Sequence, residues 1–480
     1  MYKHTLLLMI SLMIGAAVQA DIDHIKLPTL GDGVSGIVSK QQEKVLGDAW
    51  LRMYRARART VSDPLLLEYT ENLVRRMANF SELEDKTIQL VIVDSPTINA
   101  FAVPGGVMGI NNGLFLNAPG EQEFASVVAH ELGHLSQRHF ARSVEQQQAR
   151  TVPTMAGMLA GMLILAAGGG DAGVATIAAT QAAAVESQLA HSRSHEIEAD
   201  RAGMDTLVRA GMEPLAMARM FETMLDAKRF SGKNYPEFLL THPLTERRVS
   251  DAKTRARGYS AQKREKSLDF HLMKARVQMH FAHSPGEAIT NFKAEMANTL
   301  DPVEHTASRY GLVLAYTESR QFDMAQQELD KLLRDDGLRL LYQLAQADIY
   351  SQSEQHTRAA KHLENLLMIT PNSHAVTMAL ARSYIHLGFA KQAANMLEQH
   401  SRRRPNDPAV WYELAEAKGL AGDILGVHIA RGEYFLLTGI LDEAGRQLNY
   451  ALNIARGDFM ETAKLEQRLN YLEELRNIKL

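Results

Sequence analysis

The spacing of apolar residues changes twice along this chain, from helical to strand-like and back to helical. Residues 41–58 place apolar side chains at helical steps, so we predict a helix there. Residues 87–93 alternate and are rich in β-branched side chains, and residues 100–110 and 114–116 are short apolar runs interrupted by Gly and Pro. The pattern therefore predicts a small sheet of about three or four strands, framed by helices.

Helical spacing returns after Gly120, where Phe124, Val128 and Leu132 repeat at four-residue steps. Further on, residues 155–167 are uncharged and largely apolar, and a second Ala-rich run extends to residue 185. As a helix, the first run would span about 20 Å, less than the roughly 30 Å of a bilayer core. We therefore predict a helical hairpin over 155–185 that either packs in the core or contacts a membrane surface peripherally.

Three residue types recur with one period in the second half of the chain. The period of 34 residues separates Tyr316, Tyr350 and Tyr384, then Ala325, Ala359 and Ala393, then Leu329, Leu363 and Leu397. Pro371 and Pro405 end successive units at the same interval. This pattern resembles tetratricopeptide repeats, whose stacked helix pairs form a curved array with a concave face. We predict three clear repeats and one to three irregular ones.

Composition and charge exclude several kinds of site and partner. The chain has no Cys, which excludes disulfides, thiolate metal sites and Cys nucleophiles. Its net charge of −4 gives no basic field to attract nucleic acid, so we expect no nucleic-acid partner. Near the start, Lys3 precedes an apolar stretch over residues 6–14, and small residues precede Asp21. This is typical of a secretory signal peptide, so we predict export with cleavage after Ala20.

The strongest chemical signal is the sequence His130-Glu131-Leu132-Gly133-His134. In a helix, residues i and i+4 share a face, so His130 and His134 can bind one Zn²⁺ ion. Glu131 can then lie beside the bound water as its general base. Because a catalytic zinc needs a third protein ligand and the chain has no Cys, that ligand must be a His or a carboxylate.

Candidates for the third ligand cluster in a later acidic segment. Glu196 and Asp200 lie about 40° apart on one helical face, which lets Glu196 bind the metal while Asp200 orients a ligand from behind. Glu198 would face elsewhere. His191 and His195 also stand at i and i+4, and they remain open as a rival metal pair.

Four ordered motifs together resemble those of the HtpX-type gluzincin metallopeptidases, over about residues 40–255. These are the His130 to His134 sequence, the segments 196–200 and 99–106, and Thr241-His242-Pro243 with Arg248. The resemblance implies that His130, His134 and Glu196 are the zinc ligands and that Glu131 is the base. It implies that Asp200 is a supporting carboxylate or a proton donor.

The same resemblance gives a role to the segment that begins at Asn99. It implies an edge strand beside the cleft, containing Asn99 and Phe101, to which an extended substrate adds as a further strand. The alternative is an ordinary sheet edge.

Three further residues lie near these motifs. His242, before a proline, has three alternatives: it fills the open zinc position and holds the enzyme latent, it binds the developing oxyanion, or it fixes a loop by a hydrogen bond. We expect Arg248 to pair with a carboxylate of the same domain. His139 points about 140° away from His134 by helical geometry, so we expect a structural role for it.

The predicted fold class is α+β and predominantly α. A signal peptide over residues 1–20 precedes a helical metallopeptidase domain with a small β-sheet over 21–258, and an all-α tetratricopeptide solenoid covers 259–480. This combination resembles periplasmic proteases of outer-membrane protein biogenesis. The resemblance implies unfolded or misassembled outer-membrane β-barrel proteins as clients, and the barrel-assembly machinery as a partner of the repeats. The alternative is mainly a chaperone or assembly scaffold with a latent protease site.

Overall fold

A computed structural model describes residues 38–146, 193–230, 236–259 and 265–477, which belong to one structural unit. The predicted signal peptide and the predicted hairpin over 155–185 lie outside these residues. Within these ranges, no helix combines the length and the apolar character that crossing a membrane requires.

The first part of the chain folds as helices around a small sheet. In chain order, its elements are α1 (Lys40–Arg57), α2 (Pro64–Phe80), β1 (Gln89–Val93), β2 (Ala100–Val103), β3 (Val107–Asn111), α3 (Asn112–Asn117), α4 (Glu121–Ser136), α5 (His139–Gln146), α6 (Arg193–Arg209), α7 (Leu215–Phe230), α8 (Phe238–Thr241) and α9 (Glu246–Ala256). The predicted helix over 41–58 corresponds to α1. Ser39 caps α1 with its side chain, and Asp63 does the same for α2.

The sheet has three strands in the order β1-β3-β2, with β1 parallel and β2 antiparallel to β3. Gly105 and Gly106 make the tight β2–β3 turn with φ values of 83° and 81°, in the left-handed region that favours glycine. The apolar run over 114–116, considered as part of the sheet, lies instead in the short helix α3. The prediction was wrong there because a short buried apolar run fits a strand or a helix equally well.

Helices α4 and α6 approach each other closely because each has a glycine at their contact. A Cβ on Gly133 would lie 2.7 Å from the Ala199 carbonyl oxygen, and one on Gly203 would lie 3.0 Å from Ala129 backbone atoms. Any larger residue at either position would push the helices apart. This close crossing brings the acidic face of α6 against the histidine face of α4.

The second part of the chain consists of consecutive antiparallel helices, as the repeat pattern predicts. They are α10 (Leu268–Phe281), α11 (Pro285–Asn298), α12 (Pro302–Glu318), α13 (Phe322–Asp335), α14 (Leu340–Gln352), α15 (His356–Ile369), α16 (His374–His386), α17 (Ala390–Arg403), α18 (Pro408–Leu420), α19 (Ile424–Leu437), α20 (Leu441–Ile454) and α21 (Phe459–Asn477). The repeated Ala and Leu positions, such as Ala359 and Leu363, are buried between helices.

The fourth repeat has a lysine in place of the recurring tyrosine, and this lysine forms ion pairs. Lys418 stands where a tyrosine was expected, at the end of α18. Its Nζ lies 2.8 Å from Glu398 Oε2 and 3.0 Å from Asp423 Oδ2. This ion-pair cluster links neighbouring helices at a position that an aromatic side chain holds in the earlier repeats.

The repeats contact the peptidase helices through charged hydrogen bonds. Arg404 donates two hydrogen bonds to the Glu71 carboxylate, at 2.7 and 2.8 Å. Glu68 accepts from the Ser373 hydroxyl and the Ala375 N–H, at 2.9 and 3.0 Å. Paired Arg–carboxylate contacts of this kind fix orientation as well as adding stability. The start of α16 and the end of α17 are therefore held against α2.

A buried histidine pair beside this contact predicts acid sensitivity. His374 Nδ1 lies 2.9 Å from His400 Nε2, and burial lowers the pKa of His374 to about 3 and of His400 to about 4. The unfolded chain binds both protons at a pKa of about 6.5. The free energy of unfolding should therefore fall below pH 6.5, by up to about 1.4 kcal/mol per pH unit for each histidine, until the folded pKa is reached.

Denaturant titrations between pH 7 and pH 4 measure this loss. Replacing both histidines by Gln should make the free energy of unfolding decline less steeply with falling pH than in the wild type. Replacing His283 and His305, which lie away from this pair, should leave the wild-type slope. Equal slopes in all three proteins would contradict the prediction.

Candidate metal centre

Four buried donor side chains converge from three segments of the peptidase. His130 and His134 come from α4, Glu196 from α6, and His242 from the residue that follows α8. One ligand atom from each lies within 4.8 Å of the other three. The helical motif and the acidic segment, 62 residues apart in sequence, meet because α4 and α6 cross closely. His242 is brought in by the turn after α8.

The separations between the donor atoms fit one tetrahedral zinc ion. The Nε2 atoms of His130 and His134 are 3.0 Å apart, and they lie 3.6 and 3.5 Å from the Glu196 oxygens. His242 Nδ1 lies 3.4 Å from His130 Nε2 and 3.2 Å from Glu196 Oε1. Ligands about 2.0–2.1 Å from a tetrahedral Zn²⁺ are about 3.3 Å apart. The nitrogen and carboxylate donors thus match zinc in type and in spacing.

Asp200 and Arg248 support this donor set from behind. Asp200 Oδ1 lies 2.9 Å from His130 Nδ1, the ring nitrogen opposite the metal-facing one. Arg248 donates two hydrogen bonds of 2.8 Å to Asp200 and lies 2.8 Å from Glu196 Oε2. The expectation that Arg248 pairs with a carboxylate is confirmed. A carboxylate on the outer nitrogen fixes the tautomer and orientation of a ligating histidine.

Asp200 stays ionised in this position. Burial raises its pKa, but the contacts with Arg248 and His130 outweigh burial and leave the pKa at about 2. A carboxyl group with so low a pKa carries no proton to donate near neutral pH. The contact of Asp200 with His130 Nδ1 is the one that the orienting role, of the two that the resemblance implies, requires.

A second chain of contacts supports His134, and the sequence did not reveal it. His139 Nδ1 lies 2.8 Å from His134 Nδ1, and His139 Nε2 lies 3.2 Å from Glu198 Oε2. Arg142 donates to the same Glu198 oxygen at 2.5 Å. When His134 Nε2 binds a metal, its Nδ1–H donates to His139, and His139 donates in turn to Glu198. The prediction that His139 points away from His134 was therefore wrong, while the structural role expected of His139 stays a prediction.

The helical projection failed at His139 because the helix is interrupted before it. Arg138 has a φ of 48°, and α5 begins at His139 as a new helix. A step of 100° per residue therefore no longer relates His139 to His134.

The sequence left His191 and His195 open as a second candidate metal pair. His195 stacks on His139 at 4.3 Å and lies outside the donor cluster, while His191 lies outside the described residues.

Replacing His139 by Ala should weaken zinc binding roughly 10- to 100-fold, because outer partners of ligating histidines contribute this much to metal affinity. Competition with a chromogenic chelator measures the affinity. His280→Ala, at a half-exposed histidine bonded to Asp94, should bind zinc like the wild type. Wild-type affinity in His139→Ala would show that the contact with His134 is incidental.

Glu131 lies where a general base must lie, beside the donors but outside the donor set. Burial raises the pKa of its carboxyl group, and the charge of Glu196 raises it further. The Ala102 N–H, on β2, donates a hydrogen bond to the same carboxylate, and His242 Nε2 lies 3.5 Å from Glu131 Oε1. A carboxylate whose pKa is raised accepts and returns a proton readily near neutral pH.

Strand β2 is an edge of the sheet and contacts α4. Asn99 and Phe101 direct their backbone N–H and C=O groups towards β3, because Asn111 N–H donates to Asn99 C=O and Phe101 pairs with Gly109. The direction of the backbone groups alternates along a strand, so Ala100 and Ala102 direct their N–H and C=O groups away from β3. The outward atoms of the predicted substrate edge therefore belong to these two alanines. The Phe101 ring packs on Trp50 at 5.4 Å.

Comparisons with known proteins agree with this architecture. Residues 64–256 match peptidase family M48, and residues 350–417 match the tetratricopeptide repeat. A putative beta-barrel assembly-enhancing protease of Vibrio cholerae is 34% identical over 94% of this chain and 93% of its own length. The beta-barrel assembly-enhancing protease of Escherichia coli is 31% identical over 94% and 91%. A mitochondrial metalloendopeptidase of Schizosaccharomyces pombe is 28% identical over 38% and 50%.

These matches and the donor cluster confirm the predicted fold class, the metallopeptidase and the zinc cofactor. The protein is a zinc metalloendopeptidase with a helical, sheet-containing catalytic part and tetratricopeptide repeats of the kind that bind other proteins. The likeness to the Vibrio and Escherichia proteases extends over both parts. The chain belongs to peptidase family M48, together with the beta-barrel assembly-enhancing proteases.

Proposed function

We propose that this protein is an exported endopeptidase that degrades misassembled outer-membrane β-barrel proteins and assists their assembly. The observation that carries the proposal is the buried donor set with Glu131 beside it, in a chain that matches beta-barrel assembly-enhancing proteases over 94% of its length. The predicted signal peptide, cleaved after Ala20, supports a periplasmic location. The comparisons give no support to the alternative of a scaffold with a latent protease.

His130, His134 and Glu196 would hold the zinc ion in this proposal. Bound there, zinc supplies a polarised scissile carbonyl and an acidified water. Glu131 accepts the proton of the attacking water and passes it to the leaving nitrogen. Asp200 and His139 hold the ligating rings of His130 and His134 in place. These roles agree with the distances around each residue.

Substrate would lie along the outer edge of β2. The backbone groups of Ala100 and Ala102 are directed to that side, where the Ala102 N–H donates to Glu131, and strand addition at Ala100 requires no particular side-chain sequence. An unfolded β-barrel protein offers many extended segments of this kind. Because folded proteins pair such segments internally, this mode of binding favours unfolded clients.

His242 would hold the enzyme latent. A catalytic zinc site has three protein ligands and an open position, whereas this donor set has four members. With His242 Nδ1 as the fourth ligand, the position that water needs is filled. Withdrawal of the segment after α8 would open it. This is the first of the three alternatives for His242, and the tetrahedral spacing of its Nδ1 supports it.

Replacing His242 by Ala tests the latent state. If the open form is about 1–10% populated in the wild type, the variant should hydrolyse a fluorogenic peptide roughly 10- to 100-fold faster. Zinc content should stay at the wild-type level, because three ligands remain. Thr241→Ala, in the adjacent position, is the matched control and should keep the wild-type rate. A variant slower than the wild type would instead assign His242 to oxyanion binding.

The client and the location require a cellular experiment. In a Gram-negative host lacking its own enzyme of this kind, the wild-type chain should shorten the lifetime of a β-barrel protein whose assembly is stalled. Glu131→Gln should not shorten it. The mature protein should be found in the periplasmic fraction with Asp21 as its first residue. Stable stalled barrels with the wild type, or retention in the cytoplasm, would contradict the proposal.

A further inference from the structure

A cavity of about 560 Å³ lies between the peptidase part and the repeats, lined by none of the metal-centre residues. Residues from both parts line it: Arg55 near the end of α1, residues 60–62, helix α2, strand β1 with the residues before it, His374 at the start of α16, and residues 403–409, where α17 ends and α18 begins. Its volume lies within the roughly 300–1,000 Å³ of small ligand sites. Its walls offer apolar side chains such as Leu67 and Val74 together with several cations.

Strand β1 presents an open backbone edge to this cavity. Gln89 N–H donates inward to Gly106 C=O, so the neighbouring residue Leu90 directs its N–H and C=O outward. Two residues further along the strand, Ile92 C=O accepts from Val61 N–H, and after the strand Asp94 N–H donates to Arg59 C=O. Among the residues that the structure describes, no strand pairs with β1 on this side beyond the isolated bridge of Thr60 with Val93. The edge at Leu90 is therefore available to an added strand.

Four of the cavity's cations have only neutral oxygens as hydrogen-bond partners. Arg55 donates to Asn406 C=O at 3.3 Å, Lys86 to Ser81 C=O at 2.8 Å, and Arg75 to the side-chain oxygen of Asn72 at 3.1 Å. Arg403 donates to the side-chain oxygen of Asn372 at 3.2 Å. Within the described ranges, none of the four forms an ion pair with a carboxylate.

The lining acids do not neutralise these cations. Glu71 binds Arg404 through both oxygens, and Asp407 accepts from Arg404 Nε at 2.9 Å. The fifth cation, Arg404, thus occupies both lining carboxylates. Burial lowers the pKa of Arg55 to about 10, against the attraction of Asp407, as expected for a cation without a close counter-ion. The cavity carries a net positive charge beside an open strand edge.

We propose that this cavity binds an extended, acidic peptide segment, which adds to the edge of β1 at Leu90 and places its carboxylates against Arg55, Arg75, Lys86 or Arg403. Backbone pairing supplies affinity, and the cations supply the selection for acidic side chains. Such a segment would be held by the peptidase part and the repeats at once, because both line the cavity. The site is independent of catalysis and goes beyond the proposed function.

The choice of a peptide over a simple anion rests on the strand edge. A phosphate or a lipid headgroup would satisfy the cations but not the outward N–H and C=O of Leu90. A strand meets both needs, since its backbone spacing of about 4.8 Å from β1 leaves alternate side chains directed to the cavity walls. Acidic residues at every second position would face the same wall.

Fluorescence anisotropy with labelled pentapeptides tests the proposal, in zinc-loaded full-length Glu131→Gln so that no peptide is cleaved. A peptide of alternating Val and Glu should bind roughly tenfold or more tightly than the same peptide with Gln, and the peptide with Lys should bind no more tightly than the Gln peptide. Methylating alternate backbone nitrogens should weaken the Glu peptide roughly tenfold, because strand pairing loses donors. Raising the salt concentration should weaken it too.

Charge reversal locates the site. Arg403→Glu and Lys86→Glu, tested separately, should each weaken the Glu peptide roughly tenfold. Arg402→Glu is the matched control, because Arg402 is 76% exposed, pairs with Glu398 and does not line the cavity. The affinity of this variant for the Glu peptide should stay within about twofold of the wild-type value. Thermal melting and zinc content identify a variant that has lost its fold.

Four results would overturn the proposal. These are equal binding of the Glu and Gln peptides, full binding of the methylated peptide, wild-type affinity in both reversal variants, and no binding of the Glu peptide at millimolar concentration. Complete displacement of the Glu peptide by inorganic phosphate or by anionic phospholipid vesicles at equal charge concentration would likewise show that the cavity binds simple anions and not a peptide strand.

Discussion

Glu131→Gln should lose peptidase activity by roughly 10²- to 10⁴-fold in kcat/KM while binding zinc like the wild type. The substitution keeps the size of the side chain but removes the group that accepts the water proton. Glu131 lies outside the donor set, so His130, His134 and Glu196 keep their positions. Hydrolysis of a fluorogenic peptide and elemental analysis measure the two quantities on one preparation.

The thermal stability of Glu131→Gln is a second quantity to measure. Because burial and the charge of Glu196 raise the pKa of Glu131, a neutral side chain should be tolerated there without loss of thermal stability. Glu82→Gln, an exposed change that contacts Gln137, should leave activity unchanged. Retained activity in Glu131→Gln would exclude Glu131 as the base.

Arg248→Met should lower the free energy of unfolding of the metal-free protein by about 3–5 kcal/mol, the range for breaking a buried ion pair on one side. Arg248 is 5% exposed and lies between the carboxylates of Asp200 and Glu196. Without it, two buried negative charges face each other and His130. Zinc affinity should fall as well, because Asp200 loses the group that holds it on His130.

The neighbouring residue gives a matched control for this prediction. Arg247 is also on α9, but its side chain is 81% exposed and its contact with Asp251 is 3.9 Å long. Arg247→Met should change the free energy of unfolding by no more than about 0.5 kcal/mol. Denaturant titrations of the two variants in the presence of a chelator give the comparison. Equal stability of both variants would contradict a supporting role for Arg248.

Helical periodicity was enough to predict the donors that lie on one helix. His130 and His134 follow from a four-residue step, and Glu196 with Asp200 from the shared face of another helix. That these two helices meet was not visible in the sequence, although each carries a glycine at the crossing. Glycines inside helices next to ligating residues are a signal that could have indicated the contact.

The features that periodicity missed depend on interruptions and on distant segments. His139 joins the metal centre because the chain breaks its helix at Arg138, and no average rotation per residue predicts such a break. The basic cavity forms where α2 and β1 meet residues 403–409, around the connection between α17 and α18, and this requires the repeats to fold back on the peptidase part. Tertiary contacts over such separations leave no pattern in a single sequence.

The most direct test of the central claim is the zinc content of the purified chain and of its Glu196→Gln variant, measured by elemental analysis after dialysis against metal-free buffer. We expect about one zinc per chain in the wild type, as for a single catalytic site, and strongly reduced zinc in the variant. The variant keeps the size of Glu196 but loses the charge that completes the donor set. A wild type without zinc, or equal zinc in both proteins, would contradict the assignment of His130, His134 and Glu196 as the metal ligands.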